Sequence, residues 1–77
     1  MREKTYKYIY NEKNNIICKY KEREKILYEY NESNLITNKS IYLDENLMKY
    51  IKYEYDSNNN IIKKETEKNI KIFEYNN

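Results

Sequence analysis

An all-β chain, folded as an antiparallel meander of repeated hairpins with about seven short strands, is predicted by three features of this 77-residue sequence. Tyrosine, isoleucine and other strand-favouring residues alternate with polar ones at a period of two. Clusters of asparagine fall between the alternating segments, where a chain with no glycine and no proline must make its turns. A Tyr-x-Tyr motif followed by a polar turn then recurs, with successive copies 20, 25 and 20 residues apart, so that each unit is one strand out and one strand back.

The elements follow in chain order. Thr5 to Tyr10 reads as the first strand, with Tyr6, Tyr8 and Tyr10 on one face and Thr5, Lys7 and Ile9 on the other. Asn14-Asn15 makes the turn, because asparagine tolerates the left-handed backbone region and its side chain closes local turns. Ile16, Cys18 and Tyr20 are expected to share a face until the charged run Lys21 to Lys25 reverses the chain. Ile26, Tyr28 and Tyr30 share the face of the third strand. A helix over Ile17 to Tyr30 competes, since Lys, Glu, Arg and Leu are good helix formers. The strand reading is preferred because the repeat places the same segment at Ile62 to Tyr75, where Thr66 and Asn69 fit a helix poorly.

After a turn at Asn31 to Asn34, Leu35 to Leu43 is expected to carry Leu35, Ile41 and Leu43 on one side and Ile36 and Tyr42 on the other. Asp44-Glu45-Asn46 reverses the chain. Leu47 to Tyr55 is the longest predicted strand, with Leu47, Ile51, Tyr53 and Tyr55 on one face and Met48 and Tyr50 on the other. The Ser57 to Asn60 turn leads to Ile61 to Glu67, a tight turn at Lys68-Asn69, and Ile70 to Tyr75. Apolar residues on both faces of several strands imply an open single sheet whose second face is covered by neighbouring protein, or a sheet curled over itself. Unpaired backbone at Thr5 to Tyr10 and Ile70 to Tyr75 makes edge pairing with another chain, or with a second copy, the expected mode of association.

Size and composition bound what such a chain can do. A domain this small buries only about 60% of the surface its unfolded chain exposes and commonly needs a staple. The lone Cys18 cannot close an internal disulfide, and with no histidine a structural zinc site fails on ligand count. Association is the remaining staple, and no cofactor is expected. The 15 basic and 13 acidic residues are interspersed along the chain, which predicts a mixed solvated surface and no nucleic-acid partner. No apolar run approaches a membrane span and no signal peptide is seen in these residues, so the default expectation is the cytoplasm, or the cell surface if the chain is part of a larger protein. The dominance of Lys, Asn, Ile, Tyr and Glu fits a very AT-rich genome, and part of the tyrosine excess is then mutational bias.

The candidate interaction face is formed by Tyr8, Tyr10, Tyr28, Tyr30, Tyr53 and Tyr55. These side chains are either a platform for stacking sugars or bases or, preferred here, cross-strand packing partners worth about 0.2 to 1 kcal/mol each. Asp44, Glu45 and Asp56 fall short of the six to eight oxygens that calcium takes and are read as turn residues. Cys18 has no base to activate it and is read as a small buried hydrophobe. Glu22 with Glu24, and Glu65 with Glu67, are read as surface charges beside lysines, with no acid and base in a pocket. No enzymatic activity is expected.

The copies lie near residues 8–17, 28–36 and 53–62, with a partial copy at 73–77. Tyr53, Tyr55, Asp56, Asn60 and Ile61 follow in order the pattern Tyr-x-Tyr-Asp-x-x-Gly-Asn-Leu, and Tyr8, Tyr10, Asn15 and Ile16 match it with Asn11 in the aspartate place. The middle copy is read as one residue shorter. This pattern resembles the tyrosine-aspartate repeats, also called rearrangement hotspot repeats, of large bacterial cell-surface and toxin-delivery proteins and of animal teneurins. The resemblance covers almost the whole chain as one repeat-built domain, and departs in placing Asn14 and Asn59 where the family has a turn glycine. It implies a β-strand array of the kind that spirals into a shell in long members, here a structural or protein-interaction module or a stub of something larger. A weaker likeness is to the hairpin repeats of the membrane occupation and recognition nexus type. Alternative expectations are an immunity protein for a cognate toxin and a carbohydrate-binding module using the tyrosine face.

Overall fold

In the computed structural model, which describes residues 5–73, the chain is one seven-stranded antiparallel sheet with strands in sequence order. The strands are β1 (Lys7–Tyr10), β2 (Ile16–Lys21), β3 (Glu24–Tyr30), β4 (Ile36–Leu43), β5 (Asn46–Tyr55), β6 (Ile61–Thr66) and β7 (Ile70–Ile72). Ile17 to Tyr30, where a helix competes by propensity, is instead the β2–β3 hairpin. The predicted continuation of the last strand over Glu74 and Tyr75 lies outside the described residues.

The sheet is open and one layer thick. Its extents are 55 × 31 × 16 Å, and only Cys18 and Ile26, each 7% exposed, are buried among the described apolar residues. Cys18 pairs with Leu27, the neighbour of Ile26 on β3, so the two most buried side chains stand back to back on opposite faces. Among the described residues no second layer buries either face. Cross-strand contacts therefore replace a core as the main source of stability.

Asparagine builds one end of the sheet by a turn used three times. Asn11 N–H donates to Asn15 C=O (2.9 Å) and Asn14 N–H to Asn11 C=O (3.0 Å), while Asn11 Oδ1 accepts from the N–H groups of Lys13 and Asn15. Asn31 does the same for Ser33 and Leu35, and Asp56 for Asn58 and Asn60. Asn14, Asn34 and Asn59 sit at φ 64, 63 and 65°, a left-handed region that asparagine enters at less cost than other non-glycine residues. These are the positions that hold glycine in the repeat pattern.

The three turns have the same length, so the middle copy has lost nothing. Tyr10 pairs with Ile16, Tyr30 with Ile36 and Tyr55 with Ile61, each six positions apart. Leu35 occupies the place of Asn15 and Asn60, and it is a substitution that the sequence reading takes for a deletion. Asn15 Nδ2 donates to Asn34 Oδ1 at 3.1 Å, tying the first turn to the second.

Each turn is followed by a β-bulge that changes which residues share a face. The register passes from Ile9–Cys18 to Tyr10–Ile16, from Glu29–Asn38 to Tyr30–Ile36, and from Glu54–Lys63 to Tyr55–Ile61, leaving Ile17, Thr37 and Ile62 as the extra residues. Ile16 therefore lies with Tyr10, opposite to Cys18 and Tyr20. Ile36 likewise joins Ile41 instead of Tyr42, and a fourth bulge at Met48 places Leu47 with Tyr42 instead of Ile51. Strict alternation fails at these points because one extra residue inverts everything beyond it.

Charged residues close the other end. Asp44 and Glu45, at φ 51 and 68°, form a two-residue hairpin turn, and Glu22, at φ 44°, opens the turn between β2 and β3. Arg23 holds both carboxylate oxygens of Asp44 with its guanidinium fork, and Asp44 N–H donates to Arg23 C=O at 2.9 Å, so these neighbouring turns are joined as well. The β6–β7 turn is closed by Thr66 Oγ1, which accepts from the N–H groups of Lys68 and Asn69 at 3.2 Å.

Candidate functional site: the tyrosine face

Cross-strand partners share a face, so the register sorts the side chains. Tyr8 pairs with Lys19, Tyr28 with Lys39, and Tyr53 with Lys64. Tyr10, Tyr30 and Tyr55 pair with Ile16, Ile36 and Ile61 on the same side of the sheet. All six candidate tyrosines thus lie on one face. Each stands across the ladder from a lysine or an isoleucine, and none directly across from another of the six.

The rings meet along strands. Tyr8 and Tyr10 are 6.3 Å apart between ring centroids, Tyr53 and Tyr55 also 6.3 Å, and Tyr6 joins the first pair at 6.5 Å from Tyr8. The motifs are staggered. Lys19 carries the row from Tyr8 to Ile26, two residues short of Tyr28, and Lys39 carries the row from Tyr28 to Ile51, two residues short of Tyr53. With neighbouring strands about 4.8 Å apart and a rise of about 3.4 Å per residue, Tyr8, Tyr28 and Tyr53 climb the face in steps of roughly 12 Å.

Two tyrosines are structural. Tyr30 Oη donates to Ile16 C=O at 2.6 Å and Tyr55 Oη to Ile36 C=O at 2.5 Å, each reaching the neighbouring strand where it leaves a bulge. Burial pushes both phenols above the ordinary value of 10.0. Tyr6 Oη donates to Glu24 Oε1 at 2.5 Å, and this bond raises the phenol further from ionisation. On the opposite face Tyr50 donates to Glu65 at 3.1 Å with the same consequence. Glu24 and Glu65 therefore serve tyrosines, while Glu22 and Glu67 lie in turns.

A folded pKa above the unfolded one means that the protonated phenols contribute their stability fully below pH 10 and lose it as pH rises through the higher folded values, through burial at Tyr30 and Tyr55 and through the carboxylate hydrogen bonds at Tyr6 and Tyr50. Tyr30→Phe and Tyr55→Phe are each expected to cost about 1 to 2 kcal/mol, since a partly buried carbonyl loses its donor. Urea unfolding at pH 7 and pH 11 checks this, the difference between wild type and the double variant shrinking at the higher pH.

The remaining candidates have local roles. Asp44 is held below the ordinary carboxylate value by its hydrogen bonds from Arg23, and Asp56 by the N–H groups of its own turn, Asn60 first. Among the described residues no group of three potential metal ligands exists. Cys18 is a buried free thiol between Ile9 and Leu27.

Comparison with known proteins identifies no relative. No family model matches the chain, and no curated protein and no solved structure matches it significantly. The repeat and its turn stand on this chain's own geometry.

The face also carries a feature that linear charge patterning misses. Among the paired strand residues Lys19, Lys21, Lys39, Lys49, Lys64 and Lys71 lie on the tyrosine face with Glu24 as the one acid, whereas the opposite face mixes Lys7, Lys25, Lys52 and Lys63 with Glu29, Glu54 and Glu65; at the ends of the sheet the turn acids Glu32 and Asp56 lie beside Tyr53 and Tyr55, and Glu67 beside Lys39 and Lys49. Charges interspersed in sequence are segregated by the pleat. An interspersed sequence thus yields strand charges mostly of one sign on the tyrosine face. A sequence signal exists, since Lys19, Lys39 and Lys64 each follow the first tyrosine of a motif by 11 residues.

Proposed function

We propose that this chain is a non-enzymatic structural or protein-interaction module, a short array of the tyrosine-aspartate repeat type, that works by adding strands at its edges. The observation that carries the reading is that the described residues form a one-layer sheet with an unpaired edge at β1 and at β7 and a single buried apolar residue on each face. An open edge is a row of backbone donors and acceptors ready to pair, and strand addition is a common mode of protein recognition. β7 supplies the more accessible edge: Ile70 and Ile72 are 56% and 71% exposed.

Phe73 N–H donates inward to Ile62 C=O, so by the alternation of an antiparallel ladder the backbone groups of Lys71 also face β6 and those of Ile70 and Ile72 face outward. The edge lacks the usual guards, with no proline and one lysine in three residues. Sedimentation velocity across a concentration series is the test. The reading expects reversible association of the chain with itself, or a complex with a protein that donates a strand. A monomer at every concentration that takes up no strand-forming partner contradicts it.

A further inference from the structure

We infer that the tyrosine face is a binding surface for single-stranded nucleic acid. This stands on a face of the sheet and not on its edges, so the failure of strand addition leaves it intact.

Three observations carry it. First, within the strands six lysines and one glutamate share a face with Tyr6, Tyr8, Tyr10, Tyr28, Tyr30, Tyr53 and Tyr55, which is the combination that holds single strands: cations along the backbone and aromatic rings for the bases. Glu24, the one acid of those strand positions, is already taken up by Tyr6, and the other acids near this face lie in the turns at its ends. Second, Lys64 and Lys71 are direct cross-strand partners. Like charges set opposite one another cost stability, so an anion placed between them offsets that repulsion. Third, Tyr53 and Phe73 flank Lys64 in a shallow hollow of about 320 Å³ completed by Ile61, at the lower end of small-ligand sites. One base fits against these rings while Lys64 and Lys71 meet the adjoining phosphates.

The diagonal order of the motifs gives the strand a path. Tyr8, Tyr28 and Tyr53, each with a lysine directly across, repeat the same aromatic and cationic pair in steps of roughly 12 Å. A duplex is poorly suited, because its bases are not free to stack on a flat face. Sequence preference is expected to be weak, since every base offers a π-face and the lysines meet only phosphates.

The test is fluorescence anisotropy of a labelled oligothymidylate of about 15 nucleotides with the full chain. Saturable binding with a dissociation constant of about 1 to 100 μM is expected in moderate salt, and log K should fall against log salt with a slope of about −3 if four or five lysines meet phosphates. Lys39→Glu with Lys64→Glu should weaken binding at least about tenfold, whereas Lys25→Glu with Lys52→Glu, the same charge change on the opposite face, should alter it by less than about threefold. Tyr53→Leu should weaken it by about fivefold or more through lost stacking. Far-UV circular dichroism confirms the strand content of each variant, and Lys39→Gln with Lys64→Gln replaces the reversal pair if that pair unfolds.

No binding at millimolar protein overturns the inference. So does equal loss from both double variants, which reports net charge alone. Binding of a sulfated polysaccharide as tight as that of the oligonucleotide, unaffected by Tyr53→Leu, assigns the face to anionic polymers generally and overturns it too. Binding of a neutral oligosaccharide that Tyr53→Leu abolishes, with none of the oligonucleotide, transfers the face to carbohydrate.

Discussion

Ile72→Pro should abolish association of this chain while leaving the sheet folded. The N–H of Ile72 points away from β6, so proline removes a donor that the fold does not use and places a ring where an incoming strand must pair. Sedimentation velocity should then show a monomer at concentrations where the unmodified chain associates, with unchanged circular dichroism. Lys71→Pro is the matched control. Its N–H faces β6, so the substitution should detach the last strand as well. Undiminished association of Ile72→Pro would mean that the chains meet elsewhere, through a face or through β1, and would remove β7 from the proposal.

Ile26→Ala should come close to unfolding the protein. A chain of this length has about 4 to 12 kcal/mol of stability at the usual value per residue, and a sheet with one buried residue on each face among the described residues belongs at the low end. Ile26 is the buried residue of the tyrosine face, held between Lys19 and Ile41 on the flanking strands. Large-to-small changes at such sites cost about 2 to 4 kcal/mol, equivalent to a fall of roughly 10 to 25 °C in Tm for a domain of this size. Ile9→Ala, at a position 47% exposed on the edge strand, should cost less than about 1 kcal/mol. Thermal melts of the two variants separate a sheet stabilised at β3 from one stabilised evenly. Equal effects would indicate that Ile26 is not where the burial is concentrated.

The meander itself was legible because two kinds of residue had no other use. Tyrosine at i and i+2 has nowhere to go but one face of a strand, and asparagine in a chain without glycine is the cheapest route to the left-handed backbone that Asn14, Asn34 and Asn59 adopt. The faces beyond each turn were not legible. Period-two reading assumes an unbroken ladder, and the extra residues Ile17, Thr37, Met48 and Ile62 break it at four places.

That the six tyrosines share a face was legible, but what stands beside them was not. That Lys19 stands across from Tyr8, and Lys39 from Tyr28, depends on a register that only the turn length and bulge together define. The hydroxyl bonds of Tyr30 and Tyr55 were hidden for a related reason: a bulge frees a carbonyl at a position that composition cannot mark. Charge was misread by the same route. Lysine and glutamate adjacent in sequence are on opposite sides of a strand, so a chain that looks mixed along its length presents one face whose strand charges are nearly all lysine.

The binding face depends on that sorting, and nuclear Overhauser contacts in solution test it most directly. The account predicts contacts from the Tyr28 ring to the Lys39 methylenes and from the Tyr53 ring to those of Lys64, with Lys64 and Lys71 opposed across β6 and β7. Contacts from Tyr28 to Asn38 or Ser40, or from Tyr53 to Lys63 or Glu65, would shift the register by one residue and move the lysines to the other face. That result would contradict the account.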